Sequence, residues 1–134
     1  MNILLWVLQI FLGIYFIFTG VIHFIVPDGL PALMAWMYEL DPALHWFSGI
    51  VEIIAGIGLI LPGLLKIQPR LTVYAALLLV ATMLGATFWH LTRGETSNIG
   101  MNILLGVLAA FVAYGRWKLS PLPDKNAPSE ETAA

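Results

Sequence analysis

No charged side chain occurs before Asp28. Ile3 to Val26 is apolar with few interruptions; as a helix it would be about 36 Å long, against a bilayer hydrocarbon core of about 30 Å. That segment predicts a helix crossing a membrane with some tilt. With no basic side chain ahead of it and too long an apolar run for a secretory leader, it reads as a retained span. Similar runs at 43–65, 71–91 and a somewhat short 99–115 predict three more spans. Charge is too sparse for the alternative of a soluble domain. The chain is 60% hydrophobic and 10% charged, with a mean hydropathy of +0.89, where soluble domains carry about 25% charged residues. The expected fold is an all-α integral membrane four-helix bundle over residues 1–118. Residues 119–134, rich in Pro, Ser, Glu and Ala, are expected to be a disordered cytoplasmic tail.

The connections carry their own signals. Pro27, Asp28, Gly29 and Pro31 break the first helix. Ala32 to Leu40 mixes Met34, Trp36, Met37 and Tyr38 with Glu39, which suits a short helix at the membrane interface. Asp41-Pro42 places a capping carboxylate and a first-turn proline at the start of the second span. Lys66 to Arg70 is a tight loop, and Asn98 is a candidate cap for the fourth helix. Lys66, Arg70, Arg116, Lys118 and Lys125 fall on one side of such a bundle and Arg93 alone on the other. The positive-inside rule then puts both termini in the cytoplasm. MNILLWVL opens the chain and MNILLGVL recurs at 101–108; the copies run in opposite directions through the bilayer and read as apolar low complexity.

Several chemistries are excluded. The chain has no cysteine, so disulfides, thiolate metal sites and iron–sulfur clusters are absent. A net charge of −2 offers no basic surface for nucleic acid. No phosphate loop, nucleophile elbow or zinc-protease motif is present.

The polar residues concentrate in the outer half of the bundle. His23 ends the first span, His45 opens the second, Glu52 lies about 14 Å deeper than that span's start, His90 ends the third, and Asn98 and Asn102 open the fourth. Helical spacing gives His45, Ser48, Gly49, Glu52 and Gly56 one face. Thr19 and His23 share another, as do Thr82, Ala86 and His90, and Asn98, Asn102 and Gly106. Four polar faces point at one another at less cost than at lipid, where a mid-membrane charge costs about 2.5–3.5 kcal/mol. Candidate ligand-binding residues are therefore Glu52, His45, His23, His90 and Asn102, and candidate metal ligands are His23, His45, His90 and Glu52. The plainer alternatives are a structural carboxyl at Glu52 and interfacial histidines. Trp6, Trp46 and Trp89 read as interfacial aromatics, and Gly13, Gly20, Gly49, Gly56 and Gly58 as close-packing positions.

The segment 48–62, SGIVEIIAGIGLILP, resembles the signature of the DoxX-like family: Gly49, Glu52 three residues on, Gly56-Ile57-Gly58-Leu59, and Pro62 ending the helix. Gly20 and His23-Phe24 shortly before Pro27 resemble the family's opening helix. The resemblance implies a four-helix protein of the bacterial inner membrane. It also implies a small accessory or anchoring subunit of a quinone-linked redox system, meeting a membrane protein partner or a second copy through the outer loop with Trp36 and Tyr38. The residues themselves leave open a redox module that binds quinone, haem or a metal ion around Glu52, and a small-solute or proton pathway.

Overall fold

The computed structural model describes residues 1–128, which are helical over most of their length. The elements are α1 (Asn2–Ile25), a 3₁₀ segment (Ala32–Glu39), α2 (Pro42–Leu65), α3 (Arg70–Arg93) and α4 (Thr96–Tyr114), which runs into a π turn (Gly115–Leu119). All four α-helices are long and apolar enough to cross a bilayer, and the fold is an all-α membrane bundle. Each helix packs on the next in sequence, and α4 returns beside α1. Lys125 N–H bonds Lys66 O at 2.9 Å and Arg116 bonds Asn2. The N-terminus, the 66–69 connection and the end of α4 therefore share one end, here the terminal end. The other, the loop end, carries the 26–41 connection and Gly94-Glu95.

α1 leaves its helix at Val26, in the left-handed region (φ 41), with its N–H on Ile22 O at 2.7 Å. Pro27 bars that residue from continuing right-handed. α2 opens as expected, Asp41 Oδ1 accepting from Ala43 N–H at 2.8 Å with Pro42 in the first turn. α1 and α2 cross at two glycine rungs. A methyl on Gly56 would stand 2.7 Å from Gly13 O, and one on Gly49 would stand 2.9 Å from Gly20 O, so backbone meets backbone there.

Pro62 sits inside α2 and has no N–H, so the Gly58 carbonyl four residues earlier lacks its helical donor. Fully buried Thr72 of α3 supplies one, Oγ1 donating to Gly58 O at 3.1 Å. Gly58 also lets Ala75 approach: a methyl there would lie 2.8 Å from Ala75 Cβ. Thr72→Val is expected to lower stability by about 1 kcal/mol, and to have no effect in a Pro62→Ala background, where the helix provides its own donor. A double-mutant cycle in detergent denaturation checks this; additive effects contradict it.

The core fills the bundle from mid-membrane to the terminal end, with Leu12, Ala55, Leu59, Leu79, Ala109 and Val112 fully buried. One boundary differs from expectation: α4 begins at Thr96 behind Glu95, so Asn98 lies within the first turn and is not the cap. In the described part of the segment from 119, Leu122 is buried close to Gly63, and Lys125 N–H bonds Lys66 O. Residues 129–134 of that expected tail lie outside the described residues.

Candidate functional site

At the loop end the four helices enclose a cavity of about 460 Å³, within the range of small-molecule sites. Thr19 and His23 come to it from α1, Glu52 from α2, Thr82, Ala86, Trp89 and His90 from α3, and Asn98, Asn102 and Leu105 from α4, with Trp36 and Met37 of the 3₁₀ segment. The polar faces expected to converge do so, with one exception. His45 does not line the cavity, because His23 and the 3₁₀ segment stand in front of it.

Along the wall, from Thr19 to His45 behind it, runs a row of polar groups. Thr19 Oγ1 donates to Glu52 Oε2 at 2.8 Å, and Glu52 Oε1 lies 3.8 Å from His23 Nε2. His23 Nδ1 meets His45 Nδ1 at 2.9 Å, and His45 Nε2 meets Met37 O at 2.8 Å. The carbonyl can only accept, so His45 carries its proton on Nε2. Its bare Nδ1 then accepts from His23 Nδ1–H, which turns His23 Nε2 toward Glu52. The row leaves one position open to a proton, between His23 Nε2 and Glu52, where either partner can take it. Thr19, His23 and Glu52 are all buried within the bundle.

His90 belongs to a second cluster. It is 2% exposed, and its Nδ1 is hydrogen-bonded to Glu95, which also accepts from Arg93 Nε at 3.0 Å; Arg93 in turn pairs with Glu39 of the 3₁₀ segment and covers the Trp89 ring at 4.6 Å. Partial desolvation works to raise the Glu95 pKa, but the His90 and Arg93 hydrogen bonds and the Arg93 charge outweigh it and hold it below its ordinary 4.5. A depressed carboxyl contributes stability that is present above its unfolded value and is lost as pH falls through its folded value. This latch therefore holds across the neutral range.

Trp36 stands between the clusters, its ring 5.9 Å from that of His23, 5.0 Å from His90 and 5.9 Å from Trp89. The expected outward contact surface thus loses Trp36 to the interior, and Tyr38 spends its hydroxyl on Pro27 O and Leu30 N–H. Trp89, half-buried near the end of α3, also lines the cavity. The sequence places Trp36 on the outer loop but not in the cavity wall, because a 3₁₀ turn has no apolar stripe to set its facing, and Glu95 did not stand out, since it follows its helix at a spacing no pairing rule covers.

The candidate metal set His23, His45, His90 and Glu52 does not converge. Among the described residues no three His, Asp or Glu are placed to hold one ion. His23 is turned to His45 on one side and Glu52 on the other, and His90 lies across Trp36. Bis-histidine haem ligation needs two open imidazole nitrogens facing one iron; the two without a hydrogen bond among the described residues, His23 Nε2 and His90 Nε2, belong to rings with Trp36 between them. Asn102 Nδ2 is buried and unpartnered among the described residues, and its side chain lines the cavity.

No curated protein and no solved structure matches the chain. The DoxX-like family profile matches residues 7–112, which span all five candidate ligand-binding residues and the glycines around Glu52, and the chain belongs to the DoxX-like family.

Proposed function

We propose that the chain is a small subunit of a membrane redox system that binds a quinone-type carbonyl compound in the loop-end cavity. The observation that carries this reading is the Asn102 amide, buried beside the cavity with no partner among the described residues. An unpaired buried donor costs about 1–3 kcal/mol, and a ring carbonyl that accepts from Nδ2, once the amide turns into the cavity, removes that cost. Trp36, Trp89 and His90 supply aromatic edges and faces for a flat ring. Reduction of a quinone to its quinol takes up two electrons and two protons. Glu52 and His23 hold a proton position beside the ring, and a redox partner supplies the electrons. Solute passage finds less support, because the core is packed solidly from mid-membrane to the terminal end.

The reading is tested by Asn102→Leu, which keeps the volume and removes the amide. The variant is expected to be as stable as the parent or more so, and to bind a benzoquinone about tenfold more weakly. A destabilised variant with unchanged binding would mark the amide as structural and sink the proposal.

A further inference from the structure

The walls of the cavity are unequal. Its lining residues on α1 (Tyr15, Phe16, Thr19, His23) and on α4 are buried or half-buried. The exposed helical lining residues are Leu44 and Phe47 of α2 and Leu78, Ala81, Gly85 and Phe88 of α3. α2 and α3 touch closely at Gly58 and Ala75, and toward the loop end the cavity lies between them. From Leu78 to Phe88 this opening extends about 15 Å along α3, half the thickness of a hydrocarbon core. Its lips are apolar, with Phe47 66% and Phe88 70% exposed. Gly85 stands in it with no heavy atom within 4 Å of where a Cβ would be, so helix packing does not explain a glycine there.

Resting on the cavity as a ligand site, we infer that its ligand enters sideways from the bilayer between α2 and α3, and leaves a hydrocarbon tail in that opening. A lateral window lined by Leu, Phe, Ala and Gly exposes no ionisable group to lipid and gives a water-borne solute no polar path. It suits an amphiphile whose polar ring reaches Asn102, with the tail lying against Phe47 and Phe88. The ligand class is thereby narrowed to lipid-dissolved molecules with a compact carbonyl head and a long apolar chain.

Gly85→Leu is the test, because open space lets the side chain enter the window without disturbing the helix, where leucine is also a better former than glycine. The first measurement is tryptophan quenching in vesicles of brominated phosphatidylcholine. Acyl chains entering the window reach Trp89 and Trp36, so Gly85→Leu is expected to be quenched less than the parent and Gly85→Ala equally. The second compares a benzoquinone carrying a long alkyl tail with the same ring lacking it. Gly85→Leu is expected to weaken the tailed compound by about tenfold, the cost of forcing the tail and the new side chain into one space, and to leave the tailless one within about twofold. Equal quenching of Gly85→Leu and the parent, or equal weakening of both compounds, overturns the window. If neither quinone binds the parent while the quenching difference persists, the quinone assignment fails and the lateral entrance stands.

Discussion

Replacing Arg116 by alanine is expected to lower the stability of the bundle by about 3 kcal/mol, measured as chemical denaturation in detergent micelles. Arg116 is 3% exposed and is held from three directions. Its Nε donates to Gln9 Oε1 at 2.5 Å, and its Nη1 donates to Asn2 Oδ1 at 2.7 Å and Ser120 O at 3.0 Å. Gln9, with no exposed surface, passes the connection on, its Nε2 donating to Leu59 O of α2 at 2.6 Å. One guanidinium thus joins α1, the π turn and, through Gln9, α2 beside the proline of that helix, while its plane lies 5.4 Å from the Trp6 ring. Hydrogen bonds from a charged donor are worth about 1.5–3 kcal/mol each, and of the acceptors left behind Gln9 is fully buried. Arg116→Lys keeps the charge but has no planar fork to reach Gln9 and Asn2 together, so it is expected to recover less than half of the loss. Full recovery by lysine would show that the charge and not the geometry matters, and an alanine variant as stable as the parent would remove the network's role.

That network also shows where sequence reasoning stops. Arg116 counted there only as a charge that orients the spans, because a basic residue just past an apolar run looks the same whether it reaches headgroups or folds inward. The wide turn at Gly115, with Ser120 N–H bonded to Gly115 O at 2.7 Å, carries it inward, and single-sequence periodicity has no signal for a π turn. Depth and helical spacing, by contrast, were enough to bring Thr19, His23, Glu52, His90 and Asn102 to one cavity. Those residues lie on regular helices, where position along the chain translates directly into height and angle. The cap of α4 was misplaced because Glu95 and Asn98 are both polar residues before an apolar run. Tertiary contact decides between them: Glu95 is drawn out of the helix by His90 and Arg93, and the helix begins behind it. His45 shares the helical face of Glu52, yet the 3₁₀ segment puts the Met37 carbonyl on its Nε2 and His23 on its Nδ1. A sequence shows which face a side chain occupies, but not what the connecting loop lays across it.

On the proposed quinone reading, Glu52→Gln is expected to leave quinone binding within about threefold of the parent while slowing quinone-linked electron flow in membranes by about 100-fold, the lower end of what a positioned acid or base contributes. The substitution keeps size and hydrogen-bonding capacity, so the Thr19 hydroxyl at 2.8 Å retains an acceptor and the fold survives. What it removes is the carboxylate facing His23 Nε2 at 3.8 Å. With the carboxylate in place, a proton arriving at His23 makes an imidazolium beside an anion, in a buried place where an unpaired charge is strongly disfavoured. With glutamine there, the same proton has no counter-charge among the groups that touch the ring. His45 offers none, since its two nitrogens are committed to His23 and to a carbonyl. The vacant position in the row is then no longer filled from one side and emptied to the other, so ring reduction stalls at proton uptake and not at binding. Glu52→Asp, which restores the charge one methylene short, is expected to regain part of the rate. An equal loss of binding and rate would make Glu52 a ligand anchor, and an unchanged rate would make it a structural partner of Thr19.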